Sequence, residues 1–452
     1  MSTNGSALAS ADAWQQARHI LAVRLDALGD LLMTTPAIRA LRESGPERRI
    51  TLLTSPSAAG IAALVPEIDD VIVYDAPWVK MTAPRADSGP DHALIERLRA
   101  AHFDAAVIFT VYSQNPLPAT LLCYLADIPL RLAHGRENPY QLLTDWIKET
   151  EPEEQVRHEV QRQLDLVATA GSHTSDPRLS LQVPPAAIAR VWAFLQEAGI
   201  DTARPWLAIH AGSTAASRRY PPEHFAAAAR LLVREHGIPV VFTGTQAEVQ
   251  LVAGIQQMMQ APSLSLVNQL NLAELAALFK LAPVVISNNT GPAHVAAAVG
   301  TPVVDLYALI NPQHTPWMVP NRVLYHDVPC RWCYRSICPE GHHACLRKVE
   351  PERVVAAALE LLGRREAVRR RREHDRLAVE AQRARDERVA GHDQQRAHRG
   401  RLVERGVELH ADDGVDGHVG RAVHGGDRFH PQLRQRRLRL GAGGEQGESG
   451  CQ

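Results

Sequence analysis

The sequence predicts an alternating α/β protein built in two halves, and three observations carry that prediction. Short apolar, β-branched runs recur in both halves and end in small or polar residues, as buried parallel strands do. A helical pattern follows most of these runs, in places opened by a proline, which suits the first helical turn. Around residues 173–189 a polar, turn-rich stretch separates the two series and reads as a linker.

A chain of 452 residues accommodates two or three domains, and 45% hydrophobic with 22% charged residues fits a globular enzyme. A net charge of −1 exerts no global pull on nucleic acid or an anionic membrane. No apolar run reaches the roughly 18 residues needed to span a bilayer. Residues 1–17 are polar and Ala/Ser-rich and lack the apolar core of a secretory signal, so a flexible N-terminus in the cytoplasm is expected. The domains are then expected at 18–172 and 190–362. From 363 to 452 Arg, Glu, His, Gly and Gln dominate. Such a segment buries too little apolar surface to offset its ordering entropy, and a low-complexity, disordered tail is expected.

The first half opens with a strand at His19–Arg24 that turns through Leu25-Asp26-Ala27-Leu28-Gly29-Asp30 into a helix reaching about Leu41. In α/β domains ligands bind at the carboxyl ends of the strands. Gly29 lets the backbone approach a ligand there, and Asp30 either points into the cleft or caps the helix, as Asp commonly does. Further strands are expected at Arg49–Thr54, Val71–Tyr74 and Ala105–Thr110. Trp78-Val79-Lys80-Met81 offers aromatic, basic and apolar contacts to an acceptor or forms an ordinary surface loop. A helix from His158 to Ala170 ends at Gly171.

The second half starts with a strand at Trp206–His210 and a loop, Ala211 to Pro221, before a helix from Pro222 to Glu235. Ser213 and Thr214 can bind phosphate oxygens, and Arg218 can neutralise a diphosphate through a forked contact. Pro239–Thr243 is the next strand, and Glu248 follows Gly244 as a first-turn acid that complements a helix dipole. Pro283-Val284-Val285-Ile286 is a buried strand leading to Ser287-Asn288-Asn289-Thr290-Gly291-Pro292-Ala293-His294 and an alanine-rich helix. Free N–H groups and the positive dipole end make that turn a phosphate site, with His294 one turn inside. A last helix, Pro351 to Leu362, closes the fold.

Four of the six cysteines fall at Cys330, Cys333, Cys338 and Cys345. In a chain without an export signal such a cluster suggests a metal more than disulfides. Four thiolates can close a tetrahedral structural zinc or iron site, and free thiols are the alternative.

Asn289-Thr290-Gly291-Pro292-Ala293-His294, its alanine helix, and Gly300-Thr301-Pro302-Val303-Val304 together resemble the signature of glycosyltransferase family 9, the heptosyltransferases of lipopolysaccharide assembly. The family usually has Asp where this chain has Asn289. Arg24, Gly29 and Asp30 followed by Thr35-Pro36-Ala37 are similar to its opening motif, in which the Asp is the proposed general base on the acceptor hydroxyl. The Ser213–Pro221 loop is similar to its donor loop, with Arg218 at the basic position, and Glu248 matches an acid implicated in holding the ribose. The resemblance spans roughly residues 18–362, and it implies that the last helix, Pro351 to Leu362, packs back on the first domain, as is common in two-domain glycosyltransferases of this type. It implies a GT-B fold, two Rossmann-like domains facing across a cleft, with acceptor-side residues Arg24, Gly29 and Lys80. Donor-binding residues would be Ser213, Thr214, Arg218, Glu248, Asn289, Thr290, Gly291 and His294. It implies inverting transfer from ADP-heptose to a lipopolysaccharide core or other glycan or lipid-linked acceptor, with no cofactor needed for catalysis and no nucleic-acid partner. The place of action would be the cytoplasm, peripheral to the inner face of the membrane. Two other readings stay open: a protein O-heptosyltransferase on the same scaffold, and a non-catalytic module that binds sugar nucleotides.

Overall fold

A computed structural model describes residues 11–365 apart from 46 and 81, together with 367 and 380. The chain divides into a unit of Met1–Glu373, which holds every element named below, and a unit of His374–Gln452. Residues 1–10 and nearly all of the expected tail lie outside the described residues.

The first half carries strands β1 (His19–Arg24), β2 (Arg49–Thr54), β3 (Asp70–Val73), β4 (Ala105–Ile108), β5 (Leu130–Gly135) and β6 (Asp145–Lys148). Its helices are α1 (Ala11–Gln16), α2 (Leu28–Glu43), α3 (Pro56–Ala62), α4 (Gly89–Ala100), α5 (Leu117–Leu125) and α6 (Glu159–Ala168). The strands run parallel in the order β3-β2-β1-β4-β5-β6. The second half carries β7 (Leu207–His210), β8 (Val240–Thr243), β9 (Leu264–Ser265), β10 (Val284–Asn288), β11 (Val303–Leu306) and β12 (Asn321–Leu324). Its helices are α7 (Pro185–Glu197), α8 (Pro222–Arg234), α9 (Val249–Met259), α10 (Leu272–Leu281), α11 (Gly291–Ala298) and α12 (Ala344–Arg347). A further helix, α13, covers residues 351–365. These strands are also parallel, in the order β12-β11-β10-β7-β8-β9. Both halves therefore repeat one Rossmann-like winding, with the strand order reversing between β1 and β4 and between β7 and β10. Ligands bind such sheets in the crevice beyond the strand ends at these reversal points.

The unbroken apolar strands follow from this layering. In β1, Ile20 and Ala22 pack into one core cluster and Leu21 and Val23 into another, so both faces of the sheet are covered by helices. The first of these clusters is shared between the halves. It joins Ile20 and Met33 to Val285, Ala293, Val295 and Val303, because α2 and α11 pack against each other beneath the cleft.

Four expectations are corrected. Residues 11–16 are a helix, anchored by Trp14, which is 2% exposed and donates its Nε1–H to Asp145 Oδ2 at 3.1 Å. The linker ends earlier than residue 189, because α7 begins at Pro185 and buries Val191 and Leu195 in the shared core. Residues 363–365, assigned to the tail, continue α13. That helix packs Val354, Ala358 and Leu361 against the outer face of the second sheet, not against the first domain. Among the described residues no helix is long and apolar enough to cross a membrane.

Candidate active site

The turn after β1 sets Asp26 and Asp30 beside one arginine, and α6 adds Glu159. Arg24, the last residue of β1, has 0% side-chain exposure. Its Nε lies 3.0 Å from Asp26 Oδ2, its Nη1 2.9 Å from Glu159 Oε1, and its Nη2 3.5 Å from Asp30 Oδ1. Burial disfavours the guanidinium charge, but Asp26, Glu159 and Asp30 more than offset this and hold it protonated well above its ordinary range. Burial also raises the Asp26 and Glu159 carboxyls, with Arg24 opposing the rise at both. Asp30 sits at the third residue of α2, where its Oδ2 accepts from the Ala27 N–H at 3.2 Å. Asp30 is thus not the N-cap, which is Ala27; it reaches back from the third helical position, and its side chain is 19% exposed at the turn.

The second helix end comes from the other half. β10 ends at Asn288, Thr290 is extended, and α11 starts at Gly291 with Pro292 in its first turn. A Cβ on Gly29 would fall 2.8 Å from His294 Cδ2 and 3.5 Å from Gly291 Cα, and one on Gly291 would fall 3.0 Å from Leu28 Cδ2. The N-termini of α2 and α11 therefore approach so closely that glycine is required at the contact. Asp30 and the anion-receptive end of α11 become neighbours across the domain boundary.

Around α11 the loop after β7 is tied down by its own polar groups. Asn288 donates to Ala211 O at 2.8 Å and accepts from the Tyr220 N–H at 3.0 Å, which joins β10 to the loop after β7. Arg218 Nη1 donates to Asn289 O at 3.4 Å, while its Nε is buried without a hydrogen-bond partner. Arg219 grips the carbonyls of Ser213 and Thr214 at 2.9 and 3.3 Å. Ser213 Oγ donates to Ala215 O at 3.1 Å, and Thr214 is exposed. Glu248 accepts from the Thr245 N–H and hydroxyl, capping the turn before α9, and its carboxylate lies against Gly212. Both readings of this acid remain compatible with its place beside the loop after β7.

The structure corrects the direct role given to Asn289. Its Nδ2 donates to Asp305 Oδ2 at 3.0 Å and to His314 O at 2.6 Å, so the amide N–H groups point into the core and are not free for a phosphate. Asp305 has 0% exposure, and burial pushes its carboxyl up to about 8 against the Asn289 hydrogen bond and the Arg218 charge. His294 and His314 are held neutral by burial and then by neighbouring positive groups, Arg218 among them; His294 Nδ1 and His314 Nε2 are buried without partners.

Lys80 lies apart from Asp30. It lines a cavity beyond β1 and β4, and its Nζ donates to Ser336 Oγ at 2.9 Å across the cleft. Tyr334 hydrogen-bonds Tyr112 in the same way, and Ser217 Oγ donates to Arg335 O at 2.7 Å. The cysteine-bearing segment is thus a strap that touches both halves. Cys330, Cys333, Cys338 and Cys345 are free thiols, with Cys330 Sγ 3.7 Å from His342 Nε2. Among the described residues no three His, Cys, Asp or Glu side chains gather as metal ligands. Among the described residues the four thiols do not close a tetrahedral set: Cys345 is within electrostatic reach of Cys338 and Cys330, while Cys333 and Cys345 pack against the apolar core of the second half.

Sequence reasoning missed Asp26, Asp305, His314 and Glu159. Asp305 carried a signal, an acid inside an otherwise apolar parallel strand. Asp26 lay in the quoted turn but was overshadowed by Asp30.

Comparison with known proteins agrees with this geometry. The family model for glycosyltransferase family 9 (heptosyltransferase) matches residues 91–344. Lipopolysaccharide heptosyltransferase 2 of Escherichia coli K12 is 24% identical over 373 residues, covering 77% of this chain and 99% of that protein. In fold, a family 9 glycosyltransferase from Veillonella parvula aligns with a TM-score of 0.64 at 23% identity, over 76% of this chain and 97% of that one. ADP-heptose lipopolysaccharide heptosyltransferase II of E. coli aligns with a TM-score of 0.60 at 23% identity, over 77% and 99%. The family match runs from the first half through the strap and takes in more than half of the chain, and on that extent the protein belongs to glycosyltransferase family 9 and is a glycosyltransferase.

Proposed function

We propose that this enzyme transfers a heptose from ADP-heptose to a lipopolysaccharide core or related lipid-linked glycan, with inversion at the anomeric carbon. The observation that carries the reading is the contact of two helix N-termini, which sets a carboxylate beside an anion site. The diphosphate lies at the N–H groups of α11, with Ser213, Thr214 and Arg218 around it. Asp30 takes the proton of the acceptor hydroxyl as its oxygen attacks the anomeric carbon. The bond from that carbon to the diphosphate breaks and ADP leaves with the electron pair. Arg218 and the α11 dipole stabilise the charge that develops on the departing phosphate. The heptosyltransferase relatives support the choice of donor, and the lipopolysaccharide relatives support that of acceptor. Such an acceptor puts the enzyme at the cytoplasmic face of the inner membrane.

Mass spectrometry of products tests this. Purified full-length protein, ADP-heptose and a truncated core glycolipid should yield the glycolipid heavier by one heptose. Donor binding without transfer to any core acceptor would overturn the reading in favour of a binding module.

A further inference from the structure

A cavity of about 340 Å³ opens beyond the ends of β1 and β4, at the point where the first sheet reverses its strand order. Its volume is near the lower end of the roughly 300–1,000 Å³ of ligand pockets, room for one sugar ring rather than a chain of them. Val23 and Phe109 supply an apolar floor, and the half-exposed indole of Trp78 lines one side. An aromatic face carries negative charge density and suits the C–H face of a pyranose. The carboxylate that lines this cavity is Asp26, not Asp30.

Asp26 is held in place on both oxygens. Oδ1 accepts from Gln114 Nε2, and Oδ2 pairs with Arg24 Nε at 3.0 Å. A carboxylate offers about four acceptor sites, so each oxygen keeps capacity for a further donor. Asn115, also in the lining, accepts from the Leu117 N–H through Oδ1 at 2.9 Å, and its Nδ2 makes no hydrogen bond among the described residues. Asp26 and Asn115 share the lining, and a carboxylate together with an amide donor matches two adjacent hydroxyls, each of which can donate one hydrogen bond and accept another.

We infer that this cavity is a subsite for a single sugar ring of the acceptor, and that Asp26 with Asn115 grips a vicinal diol on it. This rests on the glycosyl-transfer reading above and adds to it the residue that orients the acceptor. The guanidinium of Arg24 holds both Asp26 and Asp30, at 3.0 and 3.5 Å. A diol fixed on Asp26 therefore sets how far the next hydroxyl stands from the base. Asp26 is a positioning residue: it selects the ring, and Asp30 takes the proton.

The test compares the full-length wild type with Asp26→Asn, Asn115→Ala and Trp78→Ala. Steady-state transfer from ADP-heptose is measured with the truncated core glycolipid as acceptor, and donor affinity by calorimetry. Loss of a hydrogen bond to a charged group should raise the acceptor KM about 10- to 100-fold in Asp26→Asn. Donor affinity should be unchanged and kcat should stay within about threefold. An unchanged acceptor KM, or a kcat lowered 100-fold at constant KM, would overturn the assignment. Asn115→Ala, which has no hydrogen bond to Arg24 or Asp26, should raise the acceptor KM by about 2- to 10-fold, the worth of a neutral hydrogen bond, even if Asp26→Asn folds poorly. If the wild type transfers to no acceptor, the glycosyl-transfer reading fails first. The cavity is then judged separately by saturation-transfer NMR with the de-acylated core oligosaccharide: signal from one ring, lost in Trp78→Ala, supports the subsite, and no signal with the wild type overturns it.

Discussion

Replacing Asp305 by Asn perturbs the molecule at the point where the structure sizes the effect most directly. The side chain is fully buried at the end of β11, with Oδ2 accepting from Asn289 at 3.0 Å and Oδ1 without a partner. Burial raises its carboxyl from an ordinary 3.8 to about 8, so the native state keeps a proton at neutral pH that the unfolded chain has shed. The folded value lies above the unfolded one. The stability this group contributes is therefore full below 3.8 and is lost as pH rises through 8. The slope cannot exceed about 1.4 kcal/mol per pH unit, and the shift caps the whole effect at about 6 kcal/mol. Asn is nearly isosteric, carries no titrating proton, and can still accept from Asn289. Urea denaturation of both proteins at pH 6, 7 and 8 should show wild-type stability falling by about 1 kcal/mol per unit relative to Asp305→Asn. His294 and His314, whose folded values are lowered, destabilise both proteins as pH falls below 6.5 and so cancel in the difference. Donor affinity should also weaken above pH 8 in the wild type alone, since ionised Asp305 puts a negative charge behind the α11 end. Parallel stability profiles for the two proteins would refute the buried, protonated acid.

Four further outcomes are expected. Asp30→Asn should slow transfer by about 10²–10⁴-fold with donor affinity unchanged, because Asn can still accept from the Ala27 N–H but is no base; near-normal turnover would place the base elsewhere. Arg218→Ala should weaken donor binding by about 1.5–3 kcal/mol in calorimetry, and equal affinity would remove Arg218 from the site. Gly29→Ala drives a methyl to 2.8 Å from His294 Cδ2 and should cost about 1–3 kcal/mol in denaturation, with partial recovery in a double variant carrying His294→Ala. Thiol titration and elemental analysis should find Cys330, Cys333, Cys338 and Cys345 reactive and without stoichiometric zinc or iron; one equivalent of either would mean that the strap rearranges around an ion.

Much of the fold was legible because the code for buried parallel strands is local. Ile20-Leu21-Ala22-Val23 and Val284-Val285-Ile286 are apolar on both faces, and only a sheet covered on both sides requires that. The strand–turn–helix units at Asp30 and Gly291 were legible for the same reason, since caps and turns are written within a few residues of the structure they make. Residues 11–16 were misread because one buried tryptophan outweighs a polar composition. The cysteine spacing does place Cys345 within electrostatic reach of Cys330 and Cys338, but the orientation of the four thiols is set by the folded strap and not by spacing.

By itself, the sequence determined two α/β halves, the loops at their strand ends, and the acid and basic groups those loops carry. Each of these depends on residues close together in the chain. Only the tertiary structure decided which loops meet. Gly29 and Gly291 are far apart in sequence, and nothing local to either shows that α2 and α11 abut or that a side chain at Gly29 would meet His294. The same holds for the partners of Arg24, since Glu159 reaches it from α6, and for Asn289, whose amide turns from the cleft toward Asp305 because that buried carboxyl needs a donor. Side-chain direction and charge state are set by neighbours that the chain brings together only on folding.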